Sequence, residues 1–267
     1  GGIVLLRWFK LAWIANKNLL AQSCKPYMVP LQQVRTELEL WKQPLLDEYR
    51  SLTEITGALK VTTEEELRKD PRYHQMEVAP AMLVPTIKSP HGRRRARIVI
   101  CGNRIEAKNP DKQPEGDGPL GGPGGALFAN YAGGADGVLL RSMLRKAAAK
   151  RWHCATVDVR TAFLLAPRRE AQSTLLTMRP PKVLQEAGIV GPNEWWEVRN
   201  AMYGLTSSPS NWTDYRNGVL KGIQWTCNGR KLQLLATPEP NLWKVLTVDG
   251  DDDEEALGFL ALYVDDM

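Results

Sequence analysis

Between Asn109 and Gly137 lie nine of the chain's 22 glycines and four of its 18 prolines. Such a stretch has too little apolar surface to offset the entropy of ordering it, so it reads as a loop or flexible insert, with the regular elements on either side. Upstream, Trp41 to Ala58 sets Leu45, Leu46, Tyr49 and Leu52 at helical spacing, which predicts an amphipathic helix over 41–58. From Val78 to Ile105 there are six basic residues and no acidic one, and Ser89-Pro90-His91-Gly92 separates the apolar runs Met82–Ile87 and Ile98–Cys101. That pattern predicts a β-hairpin with a basic tip. Downstream, Leu139, Leu140, Met143, Leu144, Ala147 and Ala148 repeat at helical spacing up to Arg151, and Trp152–Val159 reads as a strand ending near an acid. The acidic run Asp249 to Glu255 reads as a solvated loop before a last apolar strand, Leu257 to Val264. Residues 1–40 show no clear apolar face and stay unassigned.

A chain of 267 residues that is 43% apolar can bury the core of one large domain or two small ones. The net charge of +5 fits an anionic partner or simply a solvated surface. Cys24, Cys101, Cys154 and Cys227 lie far apart, which argues against a zinc cluster or a disulfide-stapled fold and for a reducing, intracellular setting, cytoplasmic or nuclear. The early apolar run Ile3 to Leu6 is cut short by Arg7 and Lys10, so neither a membrane span nor a signal segment is expected. The first residue is Gly, and the natural start is expected upstream of it.

Two segments carry acids at strand ends. In Val157-Asp158-Val159-Arg160-Thr161-Ala162-Phe163-Leu164 a carboxylate closes an apolar strand. Alone, it reads better as a helix cap than as a metal ligand. In Leu260-Ala261-Leu262-Tyr263-Val264-Asp265-Asp266 an apolar strand runs into two adjacent carboxylates, which repel unless a cation or the solvent of a turn relieves them. An exposed hairpin turn and a metal site explain that motif equally well. Taken together the acids are more specific, because phosphoryl transfer by two Mg²⁺ ions needs hard oxygen ligands from separate elements, with the metals about 3.5–4 Å apart.

In order and separation, Asp158-Val-Arg-Thr-Ala-Phe-Leu and Tyr263-Val-Asp-Asp-Met resemble the first and last catalytic motifs of copia-type retrotransposon reverse transcriptases. Between them, Trp196 to Trp212 resembles the family segment built on Leu-Tyr-Gly-Leu-Lys-Gln-Ala-Pro, here Met202-Tyr203-Gly204-Leu205-Thr206-Ser207-Ser208-Pro209. Thr206 and Ser207 replace the usual Lys and Gln, removing a positive charge and an amide. Upstream, Arg95-Ala-Arg97-Ile-Val is similar to the family's Lys-Ala-Arg-Leu-Val, Met178-Arg-Pro-Pro to its Met-x-x-Pro-Pro, and Trp41 to Leu52 to its Trp…Glu…Leu opening helix. Each segment also has a plainer reading: a basic turn, a Gly-Ser-Pro loop, a core phenylalanine.

The resemblance spans residues 41–267 and implies an α+β right-hand polymerase. Its fingers would come mainly from 41–108, followed by the insert 109–137 and the palm-containing part 138–267, with an antiparallel palm sheet carrying the acids on adjacent strands. The thumb and RNase H regions are expected beyond Met267, so the chain as given should not polymerise processively. The resemblance further implies an RNA-directed and DNA-directed DNA polymerase acting on a primed RNA or DNA template with deoxynucleoside triphosphates. Asp158, Asp265 and Asp266 would hold two Mg²⁺ ions, with Mn²⁺ as a substitute, and form the catalytic set. Arg95, Arg97, Phe163, Tyr203 and Gly204 would bind the nucleotide, Phe163 as the gate against a 2′-hydroxyl. Ser208, Pro209 and Tyr263 would contact template and primer. The rival is an inactive, decayed or co-opted retroelement fragment that keeps the fold and some nucleic-acid affinity. A magnesium-dependent nuclease is a third reading, disfavoured because it leaves Tyr203-Gly204-Leu205 unexplained.

Overall fold

The computed structural model describes residues 9–11, 26–88, 92–107, 134–172, 174–249 and 255–262. The first strands are Phe9–Leu11 (β1) and Tyr27–Met28 (β2), and Pro30 then leads into helices Leu31–Thr36 (α1) and Leu38–Arg50 (α2). α2 turns Trp41 and Leu45 inward and passes into a π-helical turn, Ser51–Ile55, which buries Leu52. There Thr56 returns both its N–H and its hydroxyl to the Ser51 carbonyl, and Gly57 takes φ +63° to leave the turn. The helix expected over 41–58 therefore starts three residues earlier and ends as a π turn.

Leu59–Thr63 (β3) feeds Glu64–Lys69 (α3) through a capping box: the Thr63 hydroxyl accepts the Glu66 N–H and the Glu66 carboxylate accepts the Thr63 N–H. A short 3₁₀ turn, Pro71–Gln75, follows, with Asp70 accepting the Arg72 N–H at its start. Glu77–Val78 (β4) precedes the expected hairpin, Ala81–Lys88 (β5) and Arg93–Ile100 (β6), which pairs over eight residues, and Glu106–Ala107 (β7) closes this half. The hairpin tip 89–91 lies outside the described residues, as does most of the expected insert, 108–133.

Gly137–Lys150 (α4) starts where the Asp136 carboxylate accepts the Val138 and Leu139 N–H groups, and it stops at Arg151 in the left-handed region, φ 55°. The strand expected over 152–159 is described only as Val157–Val159 (β8), which pairs antiparallel with the described residues of β1. Then come the single turn Ala162–Leu165 (α5), Leu176–Met178 (β9), Lys182–Glu186 (α6), Glu194–Val198 (β10) and the long helix Ser208–Gly222 (α7). Gln224–Cys227 (β11), Arg230–Ala236 (β12), Leu242–Thr247 (β13) and Gly258–Ala261 (β14) form an antiparallel meander. Its first turn is Asn228-Gly229, both at positive φ, a tight hairpin signal that the sequence reading passed over. The last strand, expected over 257–264, is described only as β14.

The chain is thus a mixed α+β protein with largely antiparallel sheets, and its described residues divide into two compact units. One unit, 26–107 with 161–212, holds the five-stranded sheet β3-β10-β9-β4-β7 and the three-stranded sheet β2-β5-β6. Trp196 and Val198 of β10 face a core with Trp41, Leu45, Ile98 and Met202, while Trp195 packs on the other side with Leu67, Met76 and Leu175. The other unit, 9–11, 134–160 and 213–262, holds the β1-β8 pair and the β11–β14 meander. Among the described residues, no helix is long and apolar enough to cross a membrane.

Candidate functional site

Alternation along β6 sends Ala96, Ile98 and Ile100 into the core and leaves Arg95 exposed and Arg97 half-buried on the other face. Arg94 lies on neither charge-rich surface: its guanidinium stacks 5.8 Å over the Trp41 ring and pairs with Glu37 at 3.3 Å, fastening the hairpin to α2. β6 is the edge of its sheet, so its outward N–H groups need acceptors from elsewhere. Ile98 donates to the Glu48 carboxylate at 3.0 Å, and Ile100 donates to the Tyr203 carbonyl at 2.9 Å. Gly102 then donates to the Gly204 carbonyl at 3.3 Å.

The Tyr203-Gly204 turn is therefore laid directly on the end of β6. Gly204 has φ +96°, and a Cβ there would stand 2.0 Å from the Ile100 carbonyl oxygen, so the turn tolerates only glycine. This seating brings the Tyr203 ring under the Arg97 guanidinium, 5.0 Å from its centroid, and edge-on to Phe163 at 6.0 Å and 79°. Phe163 is 5% exposed and reaches Tyr203 because its turn is bonded to the segment just before Tyr203. The Asn200 amide donates to the Leu164 carbonyl at 2.8 Å, and the Ala201 N–H donates to the Ala166 carbonyl at 2.8 Å. Arg97 Nε is buried with no hydrogen-bond partner among the described residues.

The structure thus brings together Arg97, Phe163, Tyr203 and Gly204, with Arg95 two residues from Arg97 on the same strand face. Ser208 is buried and donates its hydroxyl to the Met202 carbonyl at 2.6 Å, while Pro209 occupies the first turn of α7, where a missing N–H costs nothing. Ser208 thereby ties the loop to the start of α7. Asp158 is exposed on β8 opposite Lys10. β8 pairs with β1 and β14 with β13, so among the described residues these two strands belong to separate sheets rather than the single sheet expected. Tyr263, Asp265 and Asp266 lie outside the described residues. Among the described residues, no three His, Cys, Asp or Glu side chains gather as a metal group, and Asp158 is the only predicted ligand among them.

Two polar residues escaped the sequence reading. Glu48 is the middle member of the Trp41…Glu48…Leu52 spacing, and burial pushes its carboxyl above the ordinary carboxylate range, partly countered by the Ile98 N–H and by Arg95 and Arg97. Its place in that spacing was the available signal. Arg216 is 8% exposed and bonds the amide oxygens of Asn217 and Asn241 at 3.2 Å, and burial alone lowers its pKa. Nothing in the sequence marked it out from other helical arginines. Comparison with protein-family models, curated proteins and solved structures finds no significant match.

Proposed function

We propose that the chain carries the polymerase activity its motifs resemble: RNA-directed and DNA-directed DNA synthesis of the copia retrotransposon type. The observation that supports this reading most is the meeting of Arg97, Phe163, Tyr203 and Gly204, contributed by three segments far apart in sequence. Independent core packing has no need to put a guanidinium with a buried, unpartnered Nε over one aromatic ring and a second ring against that one's edge. In this reading Arg97 and Arg95 grip the triphosphate, since guanidinium forks suit multidentate phosphate contacts. The Tyr203-Gly204 turn forms the floor beneath the nucleotide, and Phe163 excludes a 2′-hydroxyl. Asp158, Asp265 and Asp266 would hold two Mg²⁺ ions, or Mn²⁺, and the chemistry such ions would supply is neutralisation of negative charge on the transferring phosphoryl group.

The experiment is single-nucleotide addition to a primed RNA or DNA template by the purified chain in Mg²⁺ or Mn²⁺. Incorporation of a deoxynucleotide that disappears in Asp265→Asn supports the reading. A folded chain that binds triphosphate but adds nothing with either metal would instead establish the inactive-fragment alternative.

A further inference from the structure

We propose that Glu48 is the counter-charge of the phosphate grip: one carboxylate that holds the open edge of β6 and also restrains the positive potential of Arg95 and Arg97, so that a triphosphate is gripped and then let go. The inference rests on the nucleotide-site reading above and adds to it a residue of α2.

The hydrogen bond by itself does not call for an acid. Two residues further on, the equivalent edge donor of Ile100 is satisfied by a neutral carbonyl, that of Tyr203, at 2.9 Å. A carboxylate at Ile98 is the costlier choice, because removing it from water disfavours its charge. What offsets that cost, besides the Ile98 N–H, is the field of Arg95 and Arg97. No ion pair joins Glu48 to either arginine among the described residues, so the influence acts through space and spends no donor of either guanidinium on Glu48. Arg94 makes the contrast: its guanidinium is paired directly with Glu37 at 3.3 Å and is thereby committed to the fold. Nature has placed a direct partner at the structural arginine and a standing-off charge beside the two that face outward. A grip on a polyanion made of uncompensated arginines would hold its product as firmly as its substrate, and a fixed negative charge beside them weakens both.

The test is calorimetric titration of the purified chain with dTTP and with inorganic triphosphate, without divalent metal. Glu48→Gln keeps an oxygen acceptor for Ile98 and removes the charge. It should leave the melting temperature nearly unchanged and tighten triphosphate binding about threefold to tenfold, the order expected for removing one nearby unit charge in a partly hydrated setting. The gain should be smaller for a monophosphate, absent for the uncharged nucleoside, and reduced by added salt. Glu48→Leu removes the acceptor as well and should lower the melting temperature, which separates the strut from the charge. If Arg97→Gln weakens binding and Glu48→Gln leaves it unchanged or weaker, the counter-charge is refuted while the nucleotide site stands. If the wild-type chain binds no triphosphate, or binds it independently of Arg97, the nucleotide reading fails and this inference with it.

Discussion

At the scale of single residues, Gly204 decides whether the candidate site exists at all. Its φ of +96° belongs to glycine, and a methyl group would collide with the Ile100 carbonyl oxygen at 2.0 Å and with Val99 Cγ1 at 2.7 Å. The first of these is backbone and cannot swing aside. Gly204→Ala should therefore cost about 3 kcal/mol or more, above the usual Gly-to-Ala penalty at positive φ because the close approach adds to it. Denaturant unfolding with tryptophan fluorescence reads this directly; a loss under about 1 kcal/mol would mean that the turn is not seated on β6. The sequence made Gly204 conspicuous only through its motif. The reason for the glycine, a backbone approach between segments roughly a hundred positions apart, is a tertiary fact that no local pattern encodes.

Elements were legible where their stabilisation is local. The β5–β6 hairpin announced itself through two apolar runs around a Pro-Gly tip, and α4 through apolar residues at helical spacing, because pattern and partner lie within the same short stretch. The strand expected over 152–159 is described only at Val157–Val159, where it pairs with β1, a partner about 150 positions away that no local pattern encodes. α1 and β2 were missed because six and two residues carry too little periodicity to stand out. The segment from Thr63 to Gln75 is locally specified by its caps, and its electrostatics can be tested by pH. Asp70 is held down to about 2 by its hydrogen bonds and charge contact with Arg72, whose guanidinium also pairs with the nearly buried Glu197 at 2.9 Å. An unfolded aspartate titrates near 3.9, so Asp70 contributes stability that is fully present above about pH 4 and is lost as pH falls through about 4 to 2. Asp70→Asn should be less stable than wild type by about 2 kcal/mol at neutral pH, and the two stability curves should converge near pH 2. A gap that persists unchanged to pH 2 would assign the loss to the cap hydrogen bond rather than to charge.

For the whole molecule, the residues assigned to the triphosphate and those assigned to metal fall in different compact units: Arg97, Phe163, Tyr203 and Gly204 in one, Asp158 with 213–262 in the other. That division was not legible in a chain read from end to end, since each unit is discontinuous and the cut after Arg160 passes between Asp158 and Phe163 of a single motif. The consequence is that binding and chemistry should separate by mutation. Asp158 is exposed, so Asp158→Asn should leave the fold and metal-free triphosphate affinity intact while reducing nucleotide addition by at least about a hundredfold. Arg97→Gln should weaken triphosphate binding about tenfold, one charge-assisted contact being worth about 1.5 kcal/mol, and should lower addition through KM. Combining the two should give additive losses in free energy if each acts on its own part of the reaction. The measurement is a double-mutant cycle with binding by calorimetry and addition by primer extension. An Asp158→Asn chain that adds nucleotides normally would remove Asp158 from the catalytic set, and with it the pairing of the first and last motifs on which the polymerase reading depends.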